Sequence, residues 1–299
     1  MQHRDVLGLS PEGFHRIAYT EWGEASESSR TTICVHGLTR NRRDFDFLAT
    51  YLSQRKFHVF CPDIVGRGDS DWLVNPSYYT YEQYLADMNN LIARTNKPEI
   101  DWIGTSMGGL IGMALAALPK SPIKRLVLND VGPQIPTEAI ARLASFAGKD
   151  PDFASFDEAK RYFQRIYNTF GPLSDEEWHH LTKYSIRQVT QNHFVAKIDH
   201  RVKIASAQNK LTLKSFLHPF KALEGFLFDV DLWDLWQKVQ CPVLVIHGKL
   251  SDLLLPETIT KMQDLHADTT VIEIDHTGHA PTLYSSEQHQ LIHQWLVKK

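Results

Sequence analysis

The chain lacks the features that mark membrane, nucleic-acid-binding and secreted proteins. No apolar run approaches the roughly 20 residues that a bilayer-spanning helix needs. Acidic residues (35) and basic residues (32) nearly balance and are interspersed, which argues against nucleic acid or a charged membrane surface as a partner. Residues 1–10 contain no apolar segment long enough for a signal peptide. The sequence therefore predicts a cytoplasmic protein that binds neither nucleic acid nor a membrane.

Cysteine is scarce as well. The chain has only three, Cys34, Cys61 and Cys241, and each lies in or beside a strand-like run. This odd number favours buried free thiols in a reducing compartment over a disulfide framework.

The length and hydrophobic content of the chain suit a folded domain. It has 299 residues, of which 42% are hydrophobic. That is enough for one α/β domain with an insertion.

The most informative stretch is a Gly-x-Ser-x-Gly motif formed by Gly104, Ser106 and Gly108. It lies between a strand-like run that ends at Ile103 and an apolar helical pattern that begins at Leu110. This is the strand–turn–helix context that a nucleophile elbow requires. Small neighbours are needed because the turn forces the serine into a strained backbone conformation. The alternative interpretation is a glycine-rich turn that packs a helix close to a sheet.

Further motifs accompany this turn along the chain. They are His36-Gly37, the glycine- and acid-rich run 63–71, His247-Gly248 followed by Asp252, and Gly278-His279. Together with residues 104–109, they resemble the α/β-hydrolase superfamily over nearly the whole chain, and within it the cap-bearing serine esterases, lactonases and carbon–carbon bond hydrolases. The run 63–71 is interpreted mainly as a structural turn at a strand end. The motifs are specific for the fold but not for a substrate.

The resemblance implies a catalytic triad of Ser106, Asp252 and His279, because nucleophile, acid and base follow in that order in this fold. His279 would take the serine proton, while Asp252 would orient the imidazole and stabilise its charged form. The backbone N–H groups of Leu38 and Met107 would form the oxyanion hole that stabilises the tetrahedral intermediate.

Two other residues compete for these roles. His276 lies three residues before His279, but the Gly-His pair at 278–279 matches the base loop of the superfamily. Asp130 follows an earlier strand, from which some members take their acid. We expect Asp130 to stabilise the turn after that strand and Asp252 to be the acid.

Strand-like and helical runs alternate up to Asn129, which predicts an α/β fold with a mostly parallel sheet covered by helices on both faces. From about Pro136 to Val230 the pattern is helical and aromatic, with capping boxes at Ser155/Glu158 and Ser174/Glu177. An insertion there is the cap position of the superfamily. The predicted organisation is a core domain of residues 1–132 and 236–299 with a helical cap of residues 133–235.

The reaction class that follows is hydrolysis of a carboxylic ester through an acyl-enzyme, as in a carboxylesterase, with a small-molecule acyl substrate. Lactone hydrolysis and carbon–carbon bond hydrolysis are alternatives, although the latter branch usually has asparagine where this chain has Thr105. A ligand-binding protein on a hydrolase scaffold is a third. It is disfavoured because Ser106, Asp252 and His279 are all present.

No cofactor or metal is expected. The pairs His276/His279 and His179/His180 could suggest metal ligands, but no nearby cysteine or carboxylate completes a zinc set in helical register. The sequence leaves the choice between a monomer and a homodimer open.

Overall fold

The fold is built on one eight-stranded sheet in the order β1-β2-β4-β3-β5-β6-β12-β13. The computed structural model describes residues 1–26, 28–146, 149–202 and 230–298. The strands of this sheet are β1 (Gln2–Ser10), β2 (Gly13–Trp22), β3 (Arg30–Val35), β4 (Phe57–Pro62), β5 (Ile100–Thr105), β6 (Ile123–Asn129), β12 (Val243–Gly248) and β13 (Thr269–Ile274). From β4 to β13 all neighbours are parallel, whereas β2 pairs antiparallel with both β1 and β4. The predicted α/β fold is confirmed.

Strand β1 was not expected from the sequence. It pairs with β2 along its whole length at the sheet edge. Most of its side chains are exposed, including Leu7 and Leu9, and polar residues make up its first half. Its buried positions near the end hold the small residues Gly8 and Ser10 and its leucines are exposed, so the strand lacks the apolar alternation by which half-buried strands are found.

Helices cover both faces of the sheet. They are α1 (Asp46–Ser53), α2 (Tyr81–Thr95), α3 (Met107–Ala116), α8 (Pro256–Leu265) and α9 (Ser286–Lys298). The apolar residues of α2, α3 and α8 form one core cluster, and those of α1 and α9 form another. Successive residues of β3 divide between them, because Ile33 and Val35 belong to the first and Cys34 to the second.

The chain between β6 and β12 contains β7 (Gln134–Ile135), α4 (Thr137–Phe146), β8 (Asp152–Phe153), α5 (Phe156–Ile166), α6 (Asp175–Ser185), β9 (Ile186–Thr190), β10 (His193–Ala196), β11 (Val230–Asp231) and the short α7 (Trp233–Trp236). The three helices α4, α5 and α6 agree with the expected helical pattern. The small antiparallel sheet β8-β10-β9 does not, and it corrects that expectation. Its strands are short, and β9 is exposed beyond Ile186, so the sequence shows no alternation there.

Both expected helix starts in this segment are present. Ser174 and Glu177 form a complete capping box. The Ser155 hydroxyl accepts from the Glu158 N–H at 3.2 Å, but the Glu158 carboxylate accepts from Ala154 instead. The domain boundaries 1–132, 133–235 and 236–299 remain a prediction, and residues 203–229 of the predicted cap lie outside the described residues.

The aromatic residues of this segment form a cluster of their own, built around Phe153, Phe163 and Tyr167.

The three cysteines form no disulfide. Cys34 and Cys61 are buried free thiols, and Cys241 is half-buried and also free. Of the helices in the described ranges, none combines the length and the apolar character needed to cross a membrane.

Candidate active site

Ser106 lies in the turn between β5 and α3 with φ 50° and ψ −114°. This is a region that residues with a side chain rarely adopt, at a cost of order 1–3 kcal/mol. A Cβ at Gly104 would lie 2.3 Å from the backbone of Gly108, and one at Gly108 would lie 2.1 Å from the Val35 carbonyl oxygen. Both glycines are therefore required by close packing. The strand–turn–helix arrangement predicted from the motif is present, with the serine directly before the helix.

His279 connects the serine to a carboxylate. Its Nε2 lies 3.0 Å from Ser106 Oγ, and its Nδ1 lies 2.8 Å from Asp130 Oδ2. A carboxylate accepts only, so Nδ1 carries the proton and Nε2 is left to accept from the serine hydroxyl. His276, the weighed alternative, is exposed. The structure thus brings Ser106 and His279 together as the sequence suggested.

The carboxylate that contacts His279 is that of Asp130, whereas the sequence led us to expect Asp252 there. The Asp252 carboxylate is about half exposed and accepts two hydrogen bonds from Arg142, at 2.6 and 2.7 Å. In the loop after β12 it is Ser251, and not Asp252, that points towards the histidine: its hydroxyl donates to Asp130 Oδ2 at 2.6 Å. Asp130 has φ 55°, a left-handed conformation that ends β6 and aims its carboxylate at His279.

Asp130 is completely buried and well supplied with donors. The Gly248 N–H donates to Oδ1 at 2.9 Å, and His247 Nδ1 lies 3.4 Å from the same oxygen, an electrostatic contact rather than a good hydrogen bond. Burial raises the pKa of this carboxyl, but its contacts with His247, His279 and Ser251 outweigh burial and leave the pKa below its ordinary value. Asp130 is therefore ionised at neutral pH.

The loop after β3 forms one side of the site. His36 is fully buried, its Nδ1 donates to the Gly37 carbonyl at 2.7 Å, and its Nε2 accepts from the Ile64 N–H at 3.0 Å. Burial lowers the pKa of His36 to about 3, so the ring stays neutral and ties the loop to the end of β4. Leu38 follows in this loop, and Met107 is the first residue of α3, where helical N–H groups have no intrahelical partner. Their role as oxyanion donors stays a prediction.

A cavity opens above Ser106 and His279. Its wall is formed by the β3 loop, by α4 and by the segment around Phe170, and its residues include Leu38, Arg40, Arg142, Leu143, Ile166, Tyr167 and Phe170. Two arginines therefore line a largely apolar cavity. The guanidinium of Arg40 is buried against Asp44 and Ser185, and the side chain of Arg142 is about one third exposed.

The segment around Phe170 also holds the histidine loop. The Thr169 hydroxyl donates to the His279 carbonyl at 2.6 Å, and the Gly278 N–H donates to the Thr169 carbonyl at 2.7 Å. Tyr167 and Phe170, two aromatic residues of the inserted segment, line the cavity.

Sequence reasoning assigned no role in the site to Ser251 or Arg142, and it used His247 only as part of a motif. Ser251 and His247 flank the end of β12, so their proximity to the end of the neighbouring strand β6 could have been inferred from a parallel sheet. Arg142 carried no signal, because α4 reads as an ordinary amphipathic helix. Among the described residues, no group of three or more histidine, cysteine or acidic side chains is placed to hold a metal ion.

A family model for the α/β hydrolase fold matches residues 32–285. The chain therefore belongs to the α/β hydrolase family. A curated relative, the 3-hydroxybutyrate-oligomer hydrolase of Cupriavidus necator, is 39% identical over 284 residues, which cover 95% of this chain and 93% of the relative.

Two solved structures are similar over the full length. A putative hydrolase from Rickettsia typhi has a TM-score of 0.88 at 31% identity and covers 100% of both chains. An α/β hydrolase from Novosphingobium aromaticivorans has a TM-score of 0.83 at 30% identity over 99% of each chain. The fold and the family are thus shared along the whole chain.

Proposed function

We propose that the protein hydrolyses carboxylic esters through an acyl-enzyme on Ser106. The observation that carries this proposal is the unbroken chain from Ser106 Oγ through His279 to the buried carboxylate of Asp130, with distances of 3.0 and 2.8 Å. A serine hydroxyl is a poor nucleophile unless a base lies within hydrogen-bond reach, and here the base and its acid partner are both in place.

The reaction follows from these contacts. His279 Nε2 takes the serine proton while Oγ bonds to the ester carbonyl carbon, and the N–H groups of Leu38 and Met107 stabilise the negative oxygen. The intermediate expels the alcohol, which receives the proton from His279. Water then repeats the sequence on the acyl-enzyme and releases the acid. Asp130, ionised because its pKa is lowered, stabilises the imidazolium at each step.

As substrate class we propose oligomers of 3-hydroxybutyrate and similar short hydroxyacid esters. The name of the Cupriavidus relative, which aligns over nearly the whole of both chains, supports this choice. Such oligomers carry internal ester bonds and one terminal carboxylate. A cation in a mainly apolar wall suits that combination, and Arg142 lines the same cavity as Ser106. Its Nε and Nη2 donate to the half-exposed carboxylate of Asp252, so the substrate carboxylate would share or displace that contact.

Arg142→Gln should weaken the binding of acidic substrates selectively. We expect KM for the 3-hydroxybutyrate trimer to rise by about 10–100-fold, the loss of one hydrogen bond to a charged group. KM for the neutral methyl ester of the trimer should stay within about threefold. Arg161→Gln, on the exposed side of α5, is the matched control and should change neither value. Equal effects on the acid and its methyl ester would exclude Arg142 as a carboxylate contact.

We further propose that residues 133–235 act as a cap that sets acyl-length preference. Phe170 lines the cavity and stacks on Tyr167 with ring centroids 4.7 Å apart. Phe170→Ala should change the kcat/KM ratio between short and long acyl esters by about tenfold, the scale of altered contacts in an apolar pocket. Phe156→Ala, which truncates a ring packed on His179 away from the cavity, is the control. An unchanged ratio in Phe170→Ala would remove the cap from substrate selection.

No feature of the site specifically favours lactone hydrolysis, carbon–carbon bond hydrolysis or simple ligand binding. An enol-lactonase from Burkholderia xenovorans matches at 18% identity with a TM-score of 0.68, which shows the fold alone. A binding protein on this scaffold has no need of the complete serine–histidine–aspartate contact chain described above. Turnover of the 3-hydroxybutyrate trimer, with stoichiometric labelling of Ser106 by an alkyl phosphonate, tests the proposal. Labelling without turnover of any ester would contradict it.

A further inference from the structure

The glycine- and acid-rich run 63–71 contains a side chain with an unusual environment. Arg67 is completely buried, and its hydrogen-bond partners among the described residues are all neutral. Its Nε donates to the Leu38 carbonyl at 3.1 Å, and its Nη1 donates to the Val65 carbonyl and to the Tyr84 hydroxyl, both at 2.8 Å. Its Nη2 lies 3.8 Å from the Met107 sulfur.

No carboxylate of the described ranges lies within ion-pair distance of Arg67. Two nearby buried arginines differ, since Arg40 and Arg42 each pair with an aspartate. Removing a charge from water without a counter-ion is costly. The Tyr79 and Tyr84 ring centroids lie 5.9 and 5.0 Å from the guanidinium carbon, but no described carboxylate compensates the charge, so the charge calls for a functional explanation.

Two of its contacts supply that explanation. Leu38 and Met107 are the residues whose N–H groups are the expected oxyanion donors, and Arg67 touches both. The bond to the Leu38 carbonyl fixes the loop that carries the Leu38 N–H. Arg67 does not itself line the cavity, so it acts through these residues and through its field.

We propose that Arg67 positions the oxyanion donors and provides the buried positive charge that balances the negative oxygen of the tetrahedral intermediate. The inference rests on the proposed ester hydrolysis. In the resting enzyme the charge has no partner among the described carboxylates, and it gains one only when the substrate carbonyl becomes an oxyanion. A charge held in a site shielded from water acts strongly because the surroundings need not reorganise. Arg67 is thus a positioning residue whose contribution is largest in the transition state.

Two variants separate charge from shape. Arg67→Gln is neutral and can still donate to one carbonyl. Arg67→Lys keeps the positive charge but loses the planar guanidinium with its several N–H donors. We expect Arg67→Gln to lower kcat for a 4-nitrophenyl ester by about 10²–10³-fold, the scale of losing an oxyanion donor. KM should stay within about threefold. Arg67→Lys should retain at least tenfold more activity than Arg67→Gln. Equal activities of the two variants, or a wild-type kcat in Arg67→Gln, would overturn the proposal.

Binding measurements provide a readout that a purely structural role would not move. An alkyl boronate forms a tetrahedral anionic adduct with Ser106 and mimics the intermediate, whereas 3-hydroxybutyrate mimics the product. In both variants boronate affinity should fall in parallel with kcat, and product affinity should stay constant. Equal losses for the two ligands would mean that Arg67 only shapes the pocket. If Arg67→Gln does not fold, the same comparison in Arg67→Lys decides.

Tyr84→Phe is the matched control. It removes the hydroxyl that accepts from Nη1 and leaves the contacts to Leu38 and Met107 in place. Its kcat should stay within about threefold of wild type, and a loss as large as that of Arg67→Gln would contradict the proposal. Wild-type turnover is measured first: an inactive wild type refutes ester hydrolysis itself, whereas an active wild type with unaffected Arg67 variants refutes only the role of Arg67.

Discussion

Ser106→Ala should abolish ester hydrolysis, lowering kcat by about 10⁶-fold, the scale seen when a triad serine is removed. The physical reason is that no other hydroxyl contacts His279 Nε2, among the residues that the structure describes. The fold should survive, because Ser106 Oγ faces the cavity and its removal opens no hole in the core. The measurement is kcat on the 3-hydroxybutyrate trimer together with thermal unfolding of the same protein.

Ser285→Ala is the matched control for this prediction. The Ser285 hydroxyl accepts from the Gln288 N–H at the start of α9, far along the chain from the elbow. Loss of such a cap costs about 1 kcal/mol of stability, so this variant should melt earlier and keep its kcat. The pattern is the reverse of that expected for Ser106→Ala. Residual turnover of Ser106→Ala above about 1% of wild type would place the nucleophile elsewhere.

Asp130→Asn should lower the rate of acylation by about 10³–10⁴-fold, as when a triad acid is neutralised. The substitution keeps the size of the side chain but removes the charge that stabilises the imidazolium, and its amide cannot accept at both positions as the carboxylate does. Single-turnover acylation rates with a 4-nitrophenyl ester measure the step directly.

Asp252→Asn is the comparison that makes this test decisive. Its carboxylate contacts Arg142 and not His279, so acylation should stay within about threefold of wild type. If acylation is slow in Asp252→Asn and nearly normal in Asp130→Asn, Asp252 is the acid, as the sequence suggested, and the assignment of Asp130 is wrong.

Asp130→Asn should also change how the stability of the protein depends on pH in acid. The pKa of Asp130 lies below its ordinary value of 3.8 in the folded protein. Ionisation of Asp130 therefore contributes stability that is fully present above pH 3.8 and is lost as the pH falls through the lowered value. Asp130→Asn lacks this contribution, so its stability should depend less steeply on pH in that acid range.

The sequence by itself determined the parts of the site that depend on local sterics. A Cβ at Gly104 would meet the backbone of Gly108 within the same turn, and that requirement is visible in the strand–turn–helix pattern. His279 was predicted for a different reason, the resemblance of its Gly-His pair to the base loop of the α/β-hydrolase superfamily. The alternation of strands and helices likewise predicted a mostly parallel sheet, because each element buries its own periodic apolar face.

Only the tertiary structure decided which acid faces the base. Strands β6 and β12 are parallel neighbours, so Asp130 and Asp252 both follow strands that end at the same edge of the sheet. The backbone of Asp130 at φ 55° and the inward turn of Ser251 give His279 one carboxylate and leave the other to Arg142. The surroundings of Arg67 likewise could not be predicted from the sequence. An arginine in the sequence has no visible environment, and its lack of a carboxylate partner among the described residues becomes apparent only when distant segments pack around it.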